Sequence, residues 1–194
     1  MSNASSQVNS RVRWHIASSE RMKLALAAGT YFLLLCGYYM LRSLREAMAL
    51  EAGREHIPLL FTLTFAVMMA VLPAYWWLVA RVPRDRLFAA IYLPVVVLFA
   101  MVAAAADGAH VPPPIAGLYF ILVTSLNLFI VSVFWSVMAD VWRADAAKRL
   151  FGMIAAGGSA GALAGPAFNA LFVERIGASG TIYIACALLT GAVA

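Results

Sequence analysis

Arg42 and Arg45 stand three residues apart and are followed at once by Glu46, in the stretch Tyr38-Tyr39-Met40-Leu41-Arg42-Ser43-Leu44-Arg45-Glu46 at the end of an apolar run. On a continued helix, residues three or four apart share a face, so the two guanidinium groups can act together and Glu46 can pair with Arg42. A planar guanidinium suits phosphate or carboxylate, so a basic face lining an aqueous cavity would hold an anionic solute. The competing reading is a cluster that snorkels to the membrane interface. Asn127 is the second candidate. It lies in another apolar run beside Thr124 and Ser125. The two hydroxyls can bond back to the preceding helical turn, whereas an Asn amide needs an interhelical partner or water. Asn127 is therefore either glue between helices or part of a cavity wall.

Two further stretches suit motion. Asp140-Val141-Trp142-Arg143-Ala144-Asp145-Ala146-Ala147-Lys148-Arg149 mixes charges at the end of an apolar run. It reads as a solvated turn or as an ion-pair latch in which Asp140 is broken from and rejoined to a basic neighbour. Beyond it, Gly157, Gly161 and Gly165 recur every four residues, and Pro166 follows. On a helix this spacing makes one bare stripe against which another backbone can lie closely. Pro166 removes a backbone hydrogen bond and favours a kink. The stripe is expected to pack tightly and to serve a gate if that helix moves.

Other motifs carry less. Gly157-Gly158-Ser159-Ala160-Gly161 satisfies the G-x-S-x-G pattern, but that motif needs a strand–turn–helix setting with Asp and His partners, and here it sits in an apolar run. Gly177-Ala178-Ser179-Gly180 looks like the serine motif of rhomboid intramembrane proteases, yet no apolar run contains a histidine. No enzyme activity is expected. Cys36 and Cys186 fall inside apolar runs and read as small packing residues. His15, His56 and His110 fall in tails or connections, and no Cys/His cluster has metal-ligand spacing. No metal or other cofactor is expected.

The elements that must position these residues are transmembrane helices. Apolar runs cover about residues 24–41, 57–80, 87–106, 115–139, 150–173 and 181–194. A hydrocarbon core of about 30 Å needs roughly 20 apolar residues of helix; the first five runs fall within the usual range, and the sixth stops with the chain. Apolar residues make up 64% and charged residues 12%, against roughly 45–50% and about 25% in soluble domains. The formal charge of +5 is spread in short clusters between the runs and forms no basic stripe interleaved with aromatics, so a nucleic-acid polymer is not an expected partner. One set of connections carries Arg11, Arg13, Arg21, Lys23, Arg81, Arg84, Arg86, Arg143, Lys148 and Arg149; the other carries Arg42, Arg45, Arg54 and Arg175. This bias predicts a cytoplasmic N-terminus. Trp76, Trp77 and Trp142 lie at run ends and suit interfacial anchoring. Residues 1–21 are polar and read as a disordered cytoplasmic tail; residues 22–194 read as an all-α membrane half-bundle.

Several of these stretches resemble the major facilitator transporters. The likeness lies in six spans with an inside N-terminus, the basic turn Arg81-Val82-Pro83-Arg84-Asp85-Arg86, and a Gly-rich fifth span ending in Gly-Pro. Within that superfamily, YYMLRSLRE (Tyr38–Glu46) is similar to the end of the first helix in the bacterial and plastid nucleotide (ATP/ADP) translocases. FWSVMADVWRADAAKRLFGMIAAGGSAGALAGP (Phe134–Pro166) is similar to their fourth-to-fifth helix region. The resemblance covers most of residues 24–194, weakly in spans two, three and six. It implies a phosphate-binding role for Arg45, where those relatives often have Lys, and matches their following acid to Glu46. It also implies an N-terminal six-helix half, truncated in its sixth helix, whose missing C-terminal half would complete a binding site near the midplane.

The expectation is an inner-membrane, multi-pass secondary transporter working by alternating access, driven by an ion gradient or by counter-exchange. Its solute would be a small organic anion, with a nucleotide as the form the resemblance implies. Arg42, Arg45, Glu46 and Asn127 would line the site; Asp140, Gly157, Gly161, Gly165 and Pro166 would serve gating and packing. The rival is a non-transporting membrane scaffold, in which Arg45 and Asn127 would be paired off in dry packing.

Overall fold

The computed structural model describes residues 18–51, 53–106, 111–142 and 144–193, and of residues 18, 19, 51, 84, 85, 144 and 145 only the backbone. Among the sequence candidates, Arg11, Arg13, His15, His110, Arg143 and the side chains of Arg84 and Asp145 lie outside the described residues. The described residues form helices and no strand. They are α1 (Ser18–Glu51), α2 (Ile57–Arg81), α3 (Arg84–Ala105), α4 (Pro113–Val141) and α5 (Ala144–Gly191), with a single 3-10 turn at Arg54–His56. All five helices are long and apolar enough to cross a bilayer, as in a multi-pass membrane protein.

Local chemistry sets the helix ends. Pro58 and Pro113 occupy first-turn positions, where a missing N–H costs nothing. Gly53 turns the chain out of α1 at φ +98°, a conformation that side chains with a Cβ rarely adopt. Gly177 does the same inside α5, at φ +71°. There the chain doubles back, and Thr181 closes the start of the second arm by donating to the Gly177 carbonyl at 2.9 Å.

Contacts give each segment its direction. Gly157, Gly161 and Gly165 meet Ala28, Phe32 and Cys36 in turn, so the first arm of α5 runs parallel to α1. Gly37 of α1 meets Ala185 and Leu189, and Gly191 meets Leu33, so the second arm runs antiparallel. Helix α4 also opposes α1: Tyr119 donates to the Leu41 carbonyl at 2.7 Å, and Tyr31 stacks on Phe134 at 4.1 Å. Helix α3 runs against α4, with Tyr92 donating to the Ile130 carbonyl, and against the second arm, where Ser179 donates to the Ala106 carbonyl. Helix α1 is therefore the centre of the bundle. Helix α2 leans mainly on α4 and leaves Phe61, Phe65, Met69, Trp76 and Trp77 exposed. Apolar side chains on such a face are at home in hydrocarbon and not in water.

Helix α1 runs on past its apolar stretch at Leu41. It continues to Glu51 because Leu41, Leu44 and Met48, spaced three and four apart, stay buried against the bundle. One expectation needs correction, that for Trp142. Trp142 is not an interfacial anchor: it is buried just past α4, and its indole N–H has no acceptor among the described residues. Trp76 and Trp77 are exposed.

The alternating directions put the basic-rich connections at one end. A reporter fused after Arg86 is expected to read cytoplasmic, and one fused after His110 external; the reverse pattern would invert the orientation drawn from the charge bias.

Candidate functional site

Between α1 and the first arm of α5 lies a groove of about 310 Å³ lined by Tyr39, Arg42, Ser43, Glu46 and Pro166. Arg42, Ser43 and Glu46 are exposed along it. Arg45 lies six residues, or about 9 Å at 1.5 Å per residue, before the end of α1 at Glu51, and its side chain reaches back to Thr124. An Arg at the centre of a membrane helix costs about 2.5–3.5 kcal/mol unless it has partners or water, so its partners matter.

The Arg45 guanidinium sits 5.3 Å above the Phe120 ring, donates from Nη1 to Thr124 Oγ1 at 3.4 Å, and pairs through Nη2 with Glu46 Oε1. Thr124 can receive that bond because its own hydroxyl hydrogen goes back to the Phe120 carbonyl at 2.7 Å. Nε of Arg45 is buried and has no acceptor among the described residues. Guanidinium offers five N–H donors, and this set of partners leaves several of them unused. Glu46 therefore pairs with its neighbour Arg45, and not with Arg42 as its spacing suggested. Arg42 is exposed, lies 5.4 Å from the Tyr39 ring centroid, and has no carboxylate within ion-pair distance among the described residues. Two cations against one carboxylate leave the groove with a net positive charge.

Two aspects of this arrangement differ from a simple shared basic face. Arg45 turns toward α4 and Arg42 toward the groove beside α5. Asn127 is exposed on α4, one turn beyond Thr124, and makes no contact with either arginine. Ser125 is buried, and its hydroxyl has no partner among the described residues.

The glycine stripe holds α5 against the groove's back wall. A Cβ built on Gly161 would lie 2.3 Å from the Phe32 carbonyl oxygen, and one on Gly165 would lie 2.5 Å from that of Cys36. Gly158, beside the stripe, leaves room for the Tyr31 ring. Below the groove, Tyr31, Phe134, Trp135 and Phe151 fill the space between α1, α4 and α5, with ring centroids 4.1–5.5 Å apart along the chain of contacts. Pro166 lines the groove. Asp140 is exposed in the last turn of α4; of the basic neighbours expected to latch it, Arg143 lies outside the described residues and Lys148 and Arg149 are exposed at the start of α5.

Sequence reasoning missed Asn169. It is buried and donates to the Met40 carbonyl at 2.8 Å and to the Ser43 hydroxyl, tying α5 to α1 beside the groove. Ser43 in turn donates to the Met40 carbonyl at 2.9 Å. The available signal was position: 169 is the next step of the stripe 157, 161, 165. Asn169→Asp would lose this donor and bury a carboxylate against the Met40 carbonyl, at a cost of roughly 1–3 kcal/mol. The expected result is a lower melting temperature in detergent than for either wild type or Asn169→Ser. Wild-type melting of Asn169→Asp would remove the bond from the account.

Among the described residues no group of His, Cys, Asp and Glu could hold a metal ion. Cys36 and Cys186 are buried free thiols on α1 and on the second arm of α5. No protein-family profile, no curated protein and no solved structure matches this chain.

Proposed function

We propose that the chain is part of a membrane secondary transporter for a small organic anion. The observation that carries this reading is the groove lined by Arg42 and Glu46 with Arg45 beside it, where two guanidinium groups stand against one carboxylate and the Arg45 Nε donor has no acceptor among the described residues. A carboxylate or phosphate offers the planar pair of acceptors that a guanidinium fork matches. Partial desolvation between helices strengthens such a contact relative to water.

In the finer reading, the chain is an N-terminal half of major facilitator type, and a second half would close over the exposed faces of α2 and α4 that carry Phe65 and Asn127. The solute would then be exchanged by rocking the halves about the midplane. The likeness of Tyr38–Glu46 to the nucleotide translocases favours a nucleotide as the first solute to try. The packed rings of Tyr31, Phe134, Trp135 and Phe151 would have to part for release on the other side.

The experiment is uptake into proteoliposomes of labelled adenine nucleotides, inorganic phosphate and a dicarboxylate, each with and without the same solute inside. Saturable uptake of one anion, competed by its unlabelled form, is the expected result. No saturable uptake of any anion by the reconstituted full-length protein would overturn the proposal.

A further inference from the structure

A second site lies between α2 and α3 and shares no lining residue with the groove. Helices α2 and α3 are joined by only Val82 and Pro83, yet they make almost no contact with one another. Between them is a cleft of about 320 Å³ lined by apolar side chains, among them Ala74, Trp77, Leu78, Ala90, Pro94 and Phe129. From Leu78 back to Val71 it extends along α2 for about 10 Å. At its mouth, one turn beyond Leu78, Arg81 is exposed and holds its guanidinium 4.8 Å over the Trp77 ring. Arg86 is exposed one turn before Ala90 on the facing helix.

We propose that this cleft binds an acyl chain of an anionic phospholipid whose headgroup phosphate is held by Arg81. The cleft presents an apolar interior and a cationic mouth in the order in which a phospholipid presents its chain and its phosphate. Arg81 is pre-oriented by stacking on Trp77, so its fork can accept a phosphate without first being ordered. Basic pockets between membrane helices recognise anionic headgroups in this way.

The test uses the full chain reconstituted in zwitterionic vesicles, with acyl-brominated phosphatidylglycerol or acyl-brominated phosphatidylcholine added at increasing mole fraction. The quenching that disappears in Trp77→Phe is the signal from the cleft. Phosphatidylglycerol is expected to reach half-quenching at about fivefold lower mole fraction than phosphatidylcholine, the effect of roughly one basic residue near a lipid headgroup. Arg81→Gln should remove that preference, and Ala74→Phe, which fills the cleft, should reduce quenching by both lipids. If Ala74→Phe does not fold, Ala90→Leu replaces it. Equal quenching by the two lipids in the wild type would overturn the proposal, as would a preference unchanged in Arg81→Gln. Quenching that falls as protein crowds the vesicle would place a second copy in the cleft and overturn it equally.

Discussion

Replacing Gly161 by leucine is expected to separate α1 from α5 and to abolish assembly of the bundle. The reason is geometric. The added Cβ alone would lie 2.3 Å from the Phe32 carbonyl oxygen, which is backbone and cannot rotate away. Relief requires moving one helix against the other, and Gly157 and Gly165 hold the same contact one turn to either side. Overpacking of a well-packed interior costs typically about 1–3 kcal/mol; a leucine forced between two backbones belongs at or above the top of that range. Leu163→Ile is the control, since Leu163 lies on the same helix, is 76% exposed, and should change stability by about 0.5 kcal/mol or less. The measurement is thermal unfolding in detergent, together with the yield of monodisperse protein. Normal melting and yield for Gly161→Leu would remove the close approach of the two backbones from the account.

On the proposed reading, Arg45→Gln is expected to weaken anion binding by about 10- to 150-fold. A hydrogen bond to a charged group contributes roughly 1.5–3 kcal/mol, and each 1.4 kcal/mol is tenfold in affinity. Gln keeps a donor for Thr124 but loses the charge and the fork. It also leaves Glu46 without its cation, which is tolerable because that side chain is 70% exposed. Arg45→Lys restores the charge without the paired donors and should recover part of the loss. Expression and melting of the three proteins should remain close, since Arg45 is not part of the α1–α5 seam. A titration with whichever anion proves to be the solute gives the comparison. Equal affinities for Arg, Lys and Gln would leave the cluster a structural anchor.

The apolar runs of α2, α3 and α4 were readable because a bilayer imposes a length and a composition on any segment that crosses it. The four-residue glycine stripe was equally plain, since a helix turns its period directly into a face. The end of α1 was hidden because Arg42, Arg45 and Glu46 lower the apolar content of a segment that Leu44 and Met48 still bury. The choice of Arg45 over Arg42 as partner for Glu46 depends on where α4 stands, which helical spacing does not encode. Asn169 was missed for a similar reason: its acceptor is a backbone carbonyl 129 residues away, and nothing in the neighbouring residues announces it. Trp142 sits at a helix end like any interfacial Trp, and only the packing of α4 into the bundle distinguishes it.

The parallel seating of α5 on α1 also bears on how the chain is made. The first helix to emerge finds its main partner in the fifth, and the bond from Asn169 to Met40 spans 129 residues. Its immediate successor, α2, makes its contacts chiefly with α4. Until α4 and α5 are made, α1 must therefore wait with Arg45 lacking Thr124 and with the Met40 carbonyl lacking Asn169. Contacts at such separation form late and slowly, so the nascent N-terminal helix is the segment most dependent on shielding by the insertion machinery. The bundle becomes a bundle only when the glycine stripe arrives.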